Sequence, residues 1–337
     1  PGNNPRIPTA DEIIALYVEW LRPIAESPAT IDGVIKQAPA AERLLAQLRT
    51  RVGVEPGREL LERWTQHNAI KDSPRRPIFE AAYGPKNAAF AELFADPQYA
   101  EAWAVLVPHT RQRLLADEYH MSVRRMMRYT EKFGPLDWRH HGSHALYWAS
   151  QGIERSLSRF DETNRQNFDF VNTDRMVMQA IQSLYRSGDL YFNYLSYLNG
   201  GRGYFQGMPN EYFVESYGDI YEDVVERAGV YEDPSRPRRN YATGYENFLE
   251  DAISFFYRRG QFDKADEWFT RLRTWDGQNV HTDQTRPDRY SSLEDLVNSN
   301  LFDRYTSPHV AAGQVAASLQ GAFQALIRGD TDMFLGQ

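Results

Sequence analysis

Three of the eight histidines, His140, His141 and His144, fall within five positions of Gly134-Pro135-Leu136-Asp137-Trp138-Arg139-His140-His141-Gly142-Ser143-His144. Neutral imidazoles at i and i+4 share one face of a helix. With Asp137 or a remote carboxylate, His140 and His144 would then offer zinc a ligand set. That geometry needs a helix that includes both. Gly142 and Ser143 argue otherwise, because Ser143 is an N-cap signal that starts the helix near His144 and leaves His140 and His141 in the preceding loop. No His-Glu-x-x-His and no Glu-x-x-His pair of the di-iron type occurs in the chain. The expectation is therefore no metal, with His140 and His144 the residues that come nearest to a site. A second reading joins Asp137, Trp138, Arg139, His144, Tyr147 and Trp148 into a polar-aromatic pocket at a helix N-terminus, where exposed amides and Arg139 would suit an anionic group. Its plain alternative has Trp138 and Trp148 filling core volume while Asp137 pairs with Arg139 or caps the helix.

A second concentration of chemistry runs from Tyr191-Phe192-Asn193-Tyr194 into the glycine-rich Asn199-Gly200-Gly201-Arg202-Gly203-Tyr204. Aromatics beside such a loop can stack on sugar rings or bases, which makes Tyr194, Arg202 and Tyr204 candidate binding residues. The alternative is helix packing by the aromatics next to an ordinary loop. The glycine spacing is not that of a dinucleotide fingerprint, and no Gly-x-Ser-x-Gly elbow or P-loop occurs. No catalytic residue and no cofactor are assigned. Arg124, Arg125, Arg128 and Lys132 make a basic stripe, and Asp219, Glu222, Asp223 and Glu226 an acidic one. Both read as solvated helix faces unless they line a partner surface.

The elements that must position these groups are helical throughout. Periodicity and breakers predict helices over 9–22, 40–52, 57–71, 86–95, 97–106, 109–132, 143–160, 167–198, 210–228, 244–259, 262–275, 290–304 and 309–328, with no strand. Residues 1–8 read as a tether or an artificial chain end, 9–132 as an N-terminal helical region, and 133–337 as helical hairpins continuous with it. The clearest hairpin is 245–275: apolar residues recur at helical spacing on either side of Arg259-Gly260-Gln261, where glycine can adopt the left-handed conformation that ends a helix. Short echoes of its turn occur at Leu184-Tyr185-Arg186-Ser187-Gly188-Asp189 and Leu326-Ile327-Arg328-Gly329-Asp330. The glycines are 72 and 69 residues apart, near two units of a 34-residue period.

On Phe256, Gly260, Phe262, Ala265 and Phe269, this hairpin resembles a tetratricopeptide repeat. It departs from the family pattern at Ile253 and Leu272 and lacks the closing proline. The resemblance implies an all-α fold of stacked antiparallel hairpins, an elongated α-solenoid with a concave surface for a protein or peptide. An α/α toroid is the alternative architecture. It would suit a carbohydrate-active enzyme using Asp137 with Asp189 or Asp219, or an aromatic-lined ligand-binding protein.

Composition narrows the partners. There is no cysteine, so disulfides and thiolate chemistry are excluded. Residues 1–160 carry 21 Lys/Arg against 19 Asp/Glu and residues 161–337 carry 17 against 27, which is +2 against −10. That balance disfavours nucleic acid as a partner, since phosphate affinity needs clustered positive charge. No apolar run is long enough for a transmembrane helix. The chain opens on proline rather than methionine, so the expectation allows a removed targeting segment, membrane tethering through it and an extracytoplasmic bacterial location. The sequence thus points to a non-enzymatic scaffold for a protein or peptide partner, alone or as a subunit of a larger assembly.

Overall fold

The computed structural model describes residues 9–70, 85–158, 171–192, 205–231, 237–275, 291–305 and 331–336, and single positions between 315 and 329. Their regular elements are helical apart from one two-stranded hairpin, so the fold is all-α. The chain divides into two compact units, Asp11–Pro135 and Leu136–Gln337, the first ten residues grouping with the second.

In the unit Asp11–Pro135 the helices are α1 (Ala10–Ala25), α2 (Ile31–Gln37), α3 (Ala40–Gln47), α4 (Arg58–Ile70), α5 (Pro85–Ala95), α6 (Ala100–Asp117) and α7 (Val123–Phe133). α3 runs on into a π turn, Leu48–Val52, which closes on Gly53 at φ 75°. The core is built from Leu44, Leu48, Leu60, Phe90, Trp103 and Leu106, and the Trp103 indole donates to the Leu93 carbonyl at 3.1 Å. α6 differs from expectation. A break was expected at 107–108, yet the helix runs through Pro108. Proline cannot donate to the Ala104 carbonyl, but Ala104 lies on the exposed face where water can satisfy that group. Burial of Trp103, Leu106, Val107 and Thr110 holds the segment helical. The break falls instead at 118–122, where His120 takes φ 54°. The short α2 is not signalled by periodicity. Thr30 caps it, accepting from the Gly33 N–H at 3.2 Å.

The second unit contains α8 (His141–Leu157), α9 (Val171–Ser187), β1 (Asp189–Phe192), β2 (Phe205–Met208), α10 (Phe213–Tyr231), α11 (Pro237–Arg258), α12 (Phe262–Thr274), α13 (Leu293–Tyr305) and α14 (Thr331–Gly336). Successive helices pack on one another: α8 on α9, α9 on α10, α10 on α11, α11 on α12, and α13 on both α11 and α12. The α11–α12 turn has the expected geometry. Gly260 sits at φ 69°, its N–H donates to the Tyr257 carbonyl, and the Gln261 N–H donates to that of Phe256, each at 3.0 Å. This is the paired bonding of a Schellman motif. The facing stripes are buried, from Tyr245 to Phe256 on one helix and Ala265 to Leu272 on the other, whereas Phe262 is 56% exposed and packs edge-on against Tyr257.

Two further features hold this unit together. Asp174 of α9 is fully buried; it is ion-paired with Arg227 of α10 and accepts from the Tyr241 hydroxyl of α11 at 3.1 Å, so one carboxylate ties three helices. Tyr217 stacks on Phe248 at 4.0 Å and Tyr221 on Tyr245 at 4.3 Å, with Trp275 edge-on to both Tyr221 and Tyr245.

The hairpin β1–β2 corrects the expectation of a helix over 167–198 and of no strand. Its strands are antiparallel, pairing Asp189 with Met208 and Phe192 with Phe205. Where α9 gives way to β1 after Ser187, the close approach of the backbone requires glycine. A Cβ on Gly188 would lie 2.2 Å from the Leu184 oxygen, and one on Gly207 would lie 2.5 Å from the Ser187 oxygen. Of the three echoing glycines, Gly260 and Gly329 take positive φ and Gly188 does not.

Candidate functional site

The segment 136–148 is organised around Asp137. Leu136 is completely buried and anchors it. The Asp137 carbonyl accepts from the His140 N–H at 3.0 Å and from the Ser143 hydroxyl at 2.7 Å, closing the turn that leads into α8. Asp137 is 5% exposed, and its carboxylate accepts from the Arg139 backbone N–H and from Arg139 Nε, both at 2.9 Å. The pairing of Asp137 with Arg139 is therefore local, between residues two apart, while the guanidinium itself stays exposed.

α8 begins at His141, and its N-cap is His140 rather than Ser143. His140 Nδ1 accepts from the Gly142 N–H at 3.0 Å, and its carbonyl accepts from the Ser143 N–H at 3.1 Å. With Nδ1 as acceptor, the ring proton is on Nε2, which donates to Ser187 Oγ at 3.0 Å; Ser187 in turn donates to the Ser183 carbonyl. Beside it His141 Nε2 lies 3.0 Å from Ser183 Oγ, and the two imidazoles stack at 4.3 Å. The N-cap and the first residue of α8, both histidines, thus meet two serines one turn apart on α9. Gly142 makes the approach possible, since a Cβ there would lie 3.1 Å from both the Ala180 oxygen and Leu184 Cγ.

This arrangement keeps His140 neutral. Burial, first, and the neighbouring His141, second, push its pKa down to about 4, against a smaller opposing pull from Asp137. His144 is engaged separately, donating from Nε2 to the Trp138 carbonyl at 2.8 Å. His140 and His144 therefore point at different partners instead of a common ligand position. Among the described residues no group of three or more His, Asp or Glu side chains could hold a metal ion. Two of the amides that could receive an anion are likewise occupied: those of Gly142 and Ser143 bond to His140.

The aromatic part of the segment divides by exposure. Tyr147 is fully buried, with Trp138 edge-on at 6.1 Å on one side and Trp148 edge-on at 5.2 Å on the other. Trp148 is 43% exposed, so it is displayed rather than packed into the core. The structure brings Asp137, Trp138, Arg139, His144, Tyr147 and Trp148 together in one loop and helix start. Tyr194, Arg202 and Tyr204 lie outside the described residues. Sequence reasoning missed Ser183 and Ser187, whose i, i+4 spacing on α9 is the one signal that could have paired them with adjacent histidines. Comparison with known proteins gives no match to a family model, to a curated protein or to a solved structure.

Proposed function

We propose that the chain is a non-enzymatic helical-hairpin scaffold that binds a protein or peptide partner, and that the start of α8 is part of its binding surface. The observation behind this reading is how the segment 137–148 uses its groups. The side chains with catalytic or ligating potential, Asp137, His140 and His144, are engaged in internal bonds. Trp148, by contrast, stands exposed on the scaffold those bonds fix, and Arg139, although it bonds Asp137, keeps its side chain exposed beside it. Tryptophan and arginine are the side chains most often found at the energetic centres of protein interfaces. A pre-set loop presents them at little entropic cost on binding. The packing of successive helices in the second unit supports the hairpin-repeat reading.

The test is selection from a random peptide library on the immobilised chain. Enriched peptides should lose at least about tenfold in affinity with Trp148→Ala, and a smaller factor with Arg139→Ala, at unchanged helicity. Peptides indifferent to both substitutions would overturn the reading.

A further inference from the structure

The unit Asp11–Pro135 contains a cleft of about 390 Å³ between α6, the start of α2 and the turn before α4. That volume is within the range of small-molecule sites. His109 and Thr110, on its wall, are 3% and 1% exposed. His109 is held in a defined tautomer: Nδ1 lies 2.6 Å from the Pro28 carbonyl, a contact that requires a proton on Nδ1. Nε2 is then the ring's acceptor, and it has no hydrogen-bond partner among the described residues.

The orientation is built by the sequence around Pro28. A Cβ on Gly33 would lie 2.8 Å from Pro28 Cβ, so only glycine lets the 28–30 turn fold onto α2 and present the Pro28 carbonyl to His109. A backbone carbonyl fixing one imidazole nitrogen so that the other meets a ligand is a recurrent device for positioning histidine.

The rest of the lining specifies the ligand. Arg49 with Glu55 and Arg113 with Asp117 border the cleft as ion pairs of 2.7 Å each, and Glu118 on its edge is paired with Arg58. Charges of both signs therefore surround the opening, two guanidinium groups and three carboxylates on the lining itself, which suits a ligand that presents both signs. On the buried wall His109 Nε2 is an acceptor, and it calls for an N–H donor. Ile31 and Leu114 offer an apolar wall for a side chain.

We infer that this cleft binds an α-amino-acid zwitterion, its ammonium donating to His109 Nε2 and its carboxylate facing Arg113 and Arg49. This site is separate from the one at the start of α8 and does not depend on it. Calorimetric titration of the full chain with amino acids of acidic, basic and apolar side chains, and with the matching amines and carboxylic acids, tests it. At least one amino acid should bind saturably. Its singly charged analogues should bind at least about tenfold more weakly, and so should the amino acid itself to Arg113→Gln or His109→Phe. Because His109→Phe alters a buried position, a second measurement on the unsubstituted chain accompanies it: the ¹⁵N resonance of His109 Nε2 should move as ligand is added. Absence of saturable binding up to about 10 mM, or binding that leaves both Arg113→Gln and the Nε2 resonance unaffected, overturns the inference.

Discussion

His140 performs two structural tasks with one ring, and it can do both only while neutral. Nδ1 caps α8 by accepting from Gly142, and Nε2–H reaches Ser187 on α9. Protonation would place a hydrogen on Nδ1 against the Gly142 N–H. This agrees with a pKa pushed from the ordinary 6.5 down to about 4. In the unfolded chain the ring takes up its proton near 6.5, whereas the folded chain resists until about 4. The unfolded state thus binds more protons between those values, and stability rises with pH across the window. The contribution is complete above pH 6.5 and is lost progressively as pH falls toward 4. Replacement by asparagine keeps a capping oxygen but removes the titration. The thermal midpoint of His140→Asn should therefore fall less steeply than that of the unsubstituted chain between pH 7 and 5. Parallel slopes would show that His140 does not contribute. The density of histidine here is plain in the sequence, but its purpose is not. Cap rules reward Ser, Thr, Asp and Asn, so they select Ser143, whose hydroxyl in fact turns back to the Asp137 carbonyl.

The α11–α12 hairpin was legible because each of its cues is local. Gly260 ends one helix, the apolar stripes keep helical spacing on either side, and both stripes are buried. Phe262 fits the same periodicity yet is exposed, since it opens α12 and packs back on Tyr257. Gly260→Ala would place a Cβ at φ 69°, a conformation that costs roughly 1 kcal/mol or more for an alanine. Chemical denaturation should show that loss as a lower midpoint at unchanged slope. Gly260→Asn should lose less, because asparagine tolerates the left-handed region. An Ala variant as stable as the original would mean that the turn relaxes without the glycine. The β1–β2 hairpin was not legible for the opposite reason. Asp189–Phe192 is a strand only through its partner Phe205–Met208, and a periodicity scan sees no pairing between segments that far apart. Pro108 shows the same limit. Its intrinsic preference says break, while the burial of Trp103, Leu106 and Val107 around it says continue.

Each of the two units has its own apolar interior. One centres on Leu44, Leu48 and Leu106, and the other on Leu146, Ile181, Phe213, Leu249 and Leu272, all nearly or completely buried. The sequence marks a change of region after residue 132, at the breaker Phe133-Gly134-Pro135, and reads the regions on either side as continuous. The units separate at Pro135 and Leu136, next to Gly134 at φ 110°. Periodicity could mark that breaker but could not weigh it, because whether helices on either side share a core is a property of long-range packing. If each core suffices for its own unit, residues 9–135 and 136–337 expressed separately should each melt cooperatively, and their far-ultraviolet spectra should sum to that of the whole chain. The same fragments separate the two proposed sites. Amino-acid binding that depends on Arg113 should stay with 9–135, and peptide binding that depends on Trp148 should stay with 136–337. A fragment that folds but loses its ligand would mean that its site needs groups from the other unit. One that fails to fold would mean that the two interiors stabilise each other.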